Sequence, residues 1–353
     1  MTTLRSAFDP KSNALNALRL VLATGVVVWH AAPLTGHNVG WAPAEQLFSG
    51  ISVDGFFAIS GFLILSSWVR RPHAATFLRA RVLRIFPAFW VCLILTAVII
   101  APLSLLLAGK GMPATYAHSA QTYVWKNAAL NIFQHGIAGT PSDVPYPGIW
   151  DGALWTLVWE FACYLGILAL GVAGMIRYRA TIPILFVLTV LGLLLTTVGV
   201  LDSFLAVNGA RFGSMFLAGC MIYRYQNRIP LSWPLIAVAA VAILPTTLLP
   251  EYRLLAALPI AYVMIGAAAL VKRERLTIGN DISYGVYIYG FPLQQSLAGT
   301  ALVRIGVAPF AVVAMVVTVP VAAASWFLLE KPALRLKGNR VAQTAQEVAV
   351  MSA

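Results

Sequence analysis

Ten apolar segments, each close to the length of a membrane-spanning helix, occupy most of this 353-residue chain. A helix needs roughly 20 mostly apolar residues to cross a hydrocarbon core of about 30 Å. The segments lie at about 14–33, 47–68, 84–108, 152–174, 182–202, 208–224, 232–250, 254–271, 282–303 and 308–330. Only 10% of the residues are charged and 60% are hydrophobic, whereas soluble domains carry about 25% charged residues. The chain is therefore predicted to be an all-α, polytopic transmembrane bundle of about ten helices.

The basic residues between these segments predict the orientation of the bundle. The net charge is +12, but the cations form short clusters between apolar segments, which argues against nucleic-acid binding. The side that holds both termini carries 18 of the 24 Lys and Arg residues. The opposite side carries Lys110, Lys126, Arg211, Arg253 and Arg304. Because cytoplasmic loops are rich in Lys and Arg, both termini are predicted to be cytoplasmic.

The same spans predict one membrane domain and a tail. We predict a membrane domain over residues 1–335 and a short cytoplasmic tail over 336–353. The longest loop, at about 109–151, then lies outside. A long external loop rich in aromatic residues can rest on the membrane surface or cover a site.

Four ionisable side chains stand inside predicted spans, where such groups are costly and usually face the bundle interior or a wet cavity. They are Arg19, His30, Asp54 and Glu160. The spacing of Arg19 and His30 puts them roughly 16–17 Å apart on about the same helix face. Arg19 then lies in the cytoplasmic half and His30 near the external end. The structural alternative is that Arg19 reaches the inner headgroups and His30 caps the helix.

Depth along the helices predicts that His30, Asp54 and Glu160 share one cavity on the external side. They lie about three, seven and eight residues below the external face, at 1.5 Å per residue. A histidine beside a carboxylate has the ingredients of a general base. The alternative for each carboxylate is a structural pairing between helices.

An arginine cluster lies at the cytoplasmic mouth of the third span. The stretch "FLRARVLRIFP" contains Arg79, Arg81 and Arg84. A guanidinium is planar and always charged, so it suits phosphate recognition. Anchoring on anionic lipid headgroups is the alternative.

Two other spans carry small or polar residues. In "VDGFFAISGFLIL", Ser60 and Gly61 allow close approach of either a ligand or another helix. In "ISYGVYIYGFPLQQ", Tyr284, Tyr287 and Gln294 make an unusually polar span, with Tyr287 and Gln294 too deep for interfacial anchors.

Through these motifs the chain resembles the acyltransferase-3 family of bacterial integral-membrane acyltransferases. Arg19 and His30 match its Arg-x10-His signature. The segments "DGFFAISGFLI", "RARVLRIFPAFW", "LWTLVWEFACYL", "DISYGVYIYGFP" and "WFLLEKPALRL" resemble further family motifs in the same order. The resemblance carries the Trp, Glu and Tyr of one motif over to Trp155, Glu160 and Tyr164.

This resemblance implies transfer of an acyl group, commonly acetyl, from a cytoplasmic coenzyme A thioester. The acceptor implied is a sugar hydroxyl on an extracytoplasmic glycan or glycolipid precursor, at the bacterial inner membrane. Acyl-CoA is then a co-substrate, and no metal is expected. Many members have a late histidine where this chain has Gly290, so that role does not carry over and His30 is the better-supported base.

The resulting hypothesis assigns roles to three groups of residues. The catalytic group is His30 as general base, with Asp54 and Glu160 orienting it or binding sugar hydroxyls. The acyl-CoA-binding group is Arg19, Arg79, Arg81, Arg84 and Tyr284. The substrate-binding group is Trp155, Tyr164, Ser60, Tyr287 and Gln294. Direct transfer and an acyl-enzyme intermediate both stay open. A transporter or flippase for a glycan or small anion is the rival class, because buried charges also line transport pathways.

Overall fold

The computed structural model describes residues 2–38, 40–272, 276 and 279–336. Within them the α-helices are α1 (Leu4–Ala7), α2 (Leu15–Leu34), α3 (Ala42–Arg70), α4 (Ala74–Leu95), α5 (Ala101–Leu107), α6 (Tyr116–Asn127), α7 (Leu157–Val172), α8 (Thr181–Thr197), α9 (Phe204–Tyr225), α10 (Trp233–Thr246), α11 (Arg253–Leu270), α12 (Ser283–Ala298), α13 (Val307–Ser325) and α14 (Lys331–Arg335). Five-residue π-helical segments join α4 to α5 and α13 to α14, so each pair forms one long helix. Of the predicted tail 336–353, all but Leu336 lies outside the described residues.

Each of the ten predicted spans falls on one of these helices. Within the described chain, seven helices are long and apolar enough to cross a membrane, and α8 and α10 are shorter apolar helices. Large apolar side chains such as Val187, Val241 and Val316 remain exposed on the outside of the bundle, as contact with lipid requires. Helices suit the membrane because they satisfy their backbone hydrogen bonds internally. The prediction of an all-α, multi-pass membrane bundle is therefore confirmed.

The two ends of the bundle differ in what they carry. We call the end at which α3 finishes and α4 begins the inner face, and the end that carries residues 108–153 the outer face. By the distribution of basic residues the inner face is the predicted cytoplasmic one.

Helix α12 lies in the centre of the bundle, with 13 of its 16 residues buried. It packs against α2 on one side and α13 on another. Its polar side chains therefore face protein and not lipid, which is how a span as polar as "ISYGVYIYGFPLQQ" fits inside a membrane protein.

Helices α3 and α9 cross at a pair of glycines. A Cβ on Gly61 would collide with the backbone oxygen of Phe216, and a Cβ on Gly219 would collide with that of Ala58. Small residues let membrane helices approach this closely. For Gly61 the structure therefore shows helix packing, the alternative to ligand contact.

The outer segment between α5 and α7 is folded onto the bundle. The amide of Asn127 bonds to the backbone of residues 133 and 134, and the indole of Trp150 donates to the Thr140 hydroxyl over 3.1 Å. The chain then enters the bundle, where Trp150, Asp151 and Leu154 are buried before α7 begins. The outer loop thus supplies walls to the interior as well as covering it.

Candidate active site

Three cavities follow one another through the bundle. The inner cavity, about 30 Å³, is lined by residues that include Arg19, Glu160 and Tyr284. The middle cavity, about 170 Å³, adjoins it and shares the side chains Val53, Thr156 and Tyr287 with it. The outer cavity, about 420 Å³, shares the walls Trp29, His30, Gly152 and Trp155 with the middle one. Together they form a path from the inner half of the bundle to the outer loop.

His30 stands where the middle and outer cavities meet and lines both. Its ring is hydrogen-bonded to the backbone of Val26, one helical turn earlier. The ring also lies edge-on against Phe291, with 5.1 Å between the ring centroids. A neutral histidine that donates one N–H to a carbonyl keeps its other nitrogen as an acceptor, which is the form a general base needs.

The glycine at position 290 brings α12 close enough to α2 for this contact. A Cβ at Gly290 would lie 2.7 Å from Cγ2 of Val27. Position 290, where the family resemblance leads us to expect a histidine, is therefore a packing contact in this chain. The next residue, Phe291, is the one that meets His30.

Glu160 lies in the inner cavity, away from His30. Its carboxylate accepts a hydrogen bond from Ser60 over 3.1 Å and another from the Tyr164 hydroxyl. Thr156, one turn earlier on the same face, reaches both the inner and the middle cavity. Depth counted along the chain misplaces Glu160 because the segment before α7 already runs inside the bundle.

Asp54 also lies apart from His30. Its carboxylate is completely buried and pairs with Arg253 over 2.7 Å, and it accepts a hydrogen bond from Tyr252. On α3 the cavity face is formed by Val53 and its neighbours at helical spacing. Asp54 is rotated about 100° from Val53 and faces α11. The three predicted catalytic residues therefore do not share one cavity, and the catalytic role of Asp54 stays a prediction.

An inner charge cluster joins four residues: Arg19, Arg84, Asp281 and Glu330. Asp281 pairs with Arg19 over 2.7 Å and with Arg84 over 2.6 Å. Glu330 pairs with Arg84 over 3.3 Å. Burial disfavours ionisation of Asp281, but the two guanidinium groups outweigh it and lower the pKa to about 2. Two of the predicted acyl-CoA-binding arginines are thus paired with carboxylates of the protein.

The other residues of the predicted acyl-CoA group differ in their partners. Tyr284 donates to the backbone carbonyl of Ile85 over 2.9 Å and lines the inner cavity. Arg81 donates to the Ser67 hydroxyl over 3.2 Å. Within the described part of the chain, neither Arg79 nor Arg81 enters an ion pair. No carboxylate of the described residues neutralises these two cations.

The predicted substrate-binding residues divide into two sets. Trp155 lines the middle and outer cavities, and Tyr287 lines the inner and middle ones. Tyr287 donates to the carbonyl of Ala153 over 2.8 Å. Ser60 and Tyr164 instead donate hydrogen bonds to the Glu160 carboxylate. The buried Gln294 donates to the carbonyl of Val27 over 2.9 Å.

Two charged cavity residues, Arg211 and Asp151, were not among the site residues predicted from the sequence. Arg211 of α9 and His30 line the same middle cavity, although the position of Arg211 near a helix end counts it among the external loop cations. Asp151 lines the outer cavity and accepts a hydrogen bond from Tyr123. Burial raises the pKa of Asp151 to about 7 even though that hydrogen bond lowers it. The available signal was a charged residue directly beside an apolar span.

No set of three or more His, Cys, Asp or Glu side chains comes together as a metal site in the ranges that the structure describes. The site is built instead from arginines, the two histidines His30 and His135, the carboxylates Glu160 and Asp151, aromatic walls and hydroxyl groups. Fold and site together define a polytopic membrane protein with an internal path, charged at its inner end and carrying an imidazole near its outer end.

Comparison with known proteins gives this class its family. The acyltransferase-3 family, described as an acyltransferase domain, matches residues 12–327. The chain belongs to that family, as its motifs predicted, and is an O-acetyltransferase-like membrane enzyme. It is 30% identical to the O-acetyl transferase of Shigella phage Sf6 over 337 residues, which cover 91% of this chain and 96% of the relative. It is 28% identical to nodulation protein 10 of Rhizobium leguminosarum bv. viciae over 364 residues, which cover 94% of this chain and 95% of the relative. No solved structure matches the chain significantly.

Proposed function

We propose that this protein transfers an acetyl group from cytoplasmic acetyl-CoA to a hydroxyl of a glycan or lipid-linked sugar, at the outer side of the bacterial inner membrane. The family supports acyl transfer, and the name of the phage relative supports acetyl as the group. The observation that carries the proposal is the position of His30, whose ring lines both the middle and the outer cavity. A base there can meet an acceptor from one side and a thioester from the other.

The donor would enter from the inner face. Arg79 and Arg81 are proposed to bind its phosphates, because they enter none of the ion pairs found among the described residues. The inner cavity of about 30 Å³ has room for roughly two water molecules. The pantetheine arm needs more space, so walls of the inner cavity such as Arg19 would shift when the donor binds. Arg19 and Tyr284, which line that cavity, would then contact the arm.

The reaction would follow from the free nitrogen of His30. That nitrogen takes the proton of the acceptor hydroxyl as its oxygen attacks the thioester carbonyl carbon. The new C–O bond forms, the C–S bond breaks, and the leaving thiolate takes the proton from the imidazolium. Atoms and charge balance without an acyl-enzyme, so direct transfer is the simpler route. Holding both reactants in adjoining cavities can supply roughly 7–11 kcal/mol of the barrier.

The remaining predicted residues would act along the same path. Trp155 lines the two cavities nearest the outer face and is proposed to contact the acceptor sugar. Tyr287 and Glu160 line the inner part of the path and are proposed to contact the donor arm, with Ser60 and Tyr164 holding the Glu160 carboxylate. Acceptor binding is proposed to use Asp151 as well, because its buried carboxyl lines the outer cavity.

The test is transfer of labelled acetyl by purified protein. Protein in detergent is incubated with radiolabelled acetyl-CoA and glycans from the native strain, and label on the glycan is counted. Mass spectrometry of surface glycans from a deletion strain should show the loss of an acetyl group and identify the acceptor. Protein that leaves every native glycan unlabelled would contradict the proposal.

Transport is the second candidate function, and the series of adjoining cavities is what favours it. The two functions differ in their need for a sealed membrane. Acetyl transfer in detergent indicates an enzyme, whereas substrate movement seen only across vesicles indicates a transporter.

A further inference from the structure

Arg211 places a cation in the cavity that holds the proposed base. It stands on α9, and its side chain lines the middle cavity together with His30, Trp155 and Ser52. Its Nε is buried and makes no hydrogen bond with any described residue. Across the described chain, its guanidinium forms none of the ion pairs.

The neighbouring carboxylates already pair with another cation, although Oδ1 of Asp54 makes no hydrogen bond with a described residue. Asp54 and Glu251 act electrostatically on Arg211, but both pair with Arg253, over 2.7 Å and 2.8 Å. Asp54 also accepts a hydrogen bond from Tyr252. Because both carboxylates pair with Arg253, the charge of Arg211 is available to a ligand that enters the middle cavity.

Aromatic packing holds the Arg211 guanidinium in place. It lies 5.0 Å from the centroid of the Phe212 ring. Phe212 stacks on Phe57 with 4.5 Å between centroids, and it contacts Trp155 at 5.5 Å. Cations over aromatic faces are attracted by the ring quadrupole. This contact favours one position of the guanidinium before any ligand arrives, and an electrostatic catalyst needs such preorganisation.

A cation inside a membrane bundle is costly and marks a site where negative charge binds or develops. In acyl transfer that charge develops on the carbonyl oxygen when the carbonyl carbon becomes tetrahedral. The middle cavity adjoins the inner one, through which the thioester would arrive, and it contains the base that would activate the acceptor.

We propose that Arg211 is a catalytic residue that donates hydrogen bonds to the thioester carbonyl oxygen and stabilises the oxyanion formed during transfer. As the acceptor oxygen bonds to the carbonyl carbon, the π electrons of the carbonyl move to its oxygen, which the guanidinium holds. The oxyanion then re-forms the carbonyl and expels the coenzyme A thiolate, which takes the proton from His30. This inference rests on the proposed function.

The experiment compares Arg211→Met and Arg211→Lys with wild type in detergent, using acetyl-CoA and the acceptor that mass spectrometry of the deletion strain identifies. Arg304→Met is the matched control, since Arg304 is exposed in the short helix Ala301–Arg304. We expect Arg211→Met to lower kcat by roughly 10²–10³-fold, the effect of removing one oxyanion donor. Both KM values should change little, and Arg211→Lys should recover part of kcat because it keeps a charged donor.

The outcomes separate this inference from the proposed function. Wild-type protein that transfers no acetyl overturns the proposed function, and this assignment with it. Active wild type with normal kcat in Arg211→Met overturns the assignment alone. A raised acceptor KM at unchanged kcat shows instead that Arg211 binds an anionic group of the acceptor, and this also overturns it. Gel filtration shows whether Arg211→Met folds. If it does not, the test is Arg211→Lys, and folded Arg211→Lys with the kcat and KM values of wild type counts against the oxyanion assignment.

Discussion

Arg84 of α4 and Asp281, just before α12, are 197 residues apart in the chain and form a 2.6 Å ion pair in the bundle. Asp281 also pairs with Arg19, so a single carboxylate ties three parts of the chain together at the inner end of the cavity path. Both arginines belong to motifs that the chain shares with the family, and Asp281 neutralises part of their charge.

Asp281→Asn should destabilise the protein strongly. The substitution leaves two largely buried guanidinium groups without their shared carboxylate, and breaking such a buried pair costs about 3–5 kcal/mol. Thermal unfolding in detergent should show a clear fall in Tm. The control is Asp202→Asn, because Asp202 is exposed. Equal Tm values for the two variants would contradict a stabilising role for the inner charge cluster.

His30→Ala should remove transfer while the protein still folds. A positioned general base contributes roughly 10²–10⁴-fold in rate, so acetyl transfer should fall by at least that range. The measurement is kcat with labelled acetyl-CoA, with His118→Ala as control because His118 is exposed on α6. Near-normal transfer by His30→Ala would eliminate the base assignment.

Arg81→Met should weaken acetyl-CoA binding. Hydrogen bonds to charged groups contribute about 1.5–3 kcal/mol, so loss of one phosphate contact should raise the KM for acetyl-CoA roughly tenfold or more. The acceptor KM should stay the same. The control is Arg70→Met, since Arg70 is exposed at the end of α3. An unchanged acetyl-CoA KM would remove Arg81 from the donor site.

Asp151 should make stability depend on pH between about 4 and 7. Its pKa is about 7 in the folded protein and near 3.8 without the protein environment. In that window the unfolded chain releases the proton and the folded chain keeps it, so stability from this group falls as pH rises and is level above 7. The Tm of Asp151→Asn minus that of wild type should therefore increase as pH rises over this window. A Tm difference that does not vary with pH would contradict the raised pKa of Asp151. The control is Asp143→Asn, because Asp143 is exposed.

Gly290→Ala should push α12 away from α2 and disturb His30. The added Cβ would lie 2.7 Å from Val27, and overpacking of this kind costs about 1–3 kcal/mol. Transfer should fall as well, because Phe291 holds the His30 ring. Gly166→Ala is the control, because a Cβ there meets open space. Adding Val27→Ala to Gly290→Ala should restore part of the Tm, and a purely additive loss would contradict the contact.

Hydropathy and charge predicted the helices of this protein well, because a membrane admits only segments that satisfy their own backbone groups and bury or expose apolar surface over a set length. The ordered motifs, from the one around Arg19 and His30 to the closing "WFLLEKPALRL", predicted the family, since ionisable and polar groups inside spans are costly and mark a distinctive pattern. Both inferences depend on local sequence.

Only the tertiary structure decided which side chains meet. Val53 and Asp54 are adjacent, yet a rotation of about 100° sends one to the cavity and the other to Arg253. By sequence Arg211 is counted as a loop cation, but in the structure it lines the same cavity as His30 because α9 packs against α3. Pairings between distant segments depend on helix rotation and crossing, which are set by packing contacts such as those of Gly61 and Gly219 and not by the hydropathy of any one helix.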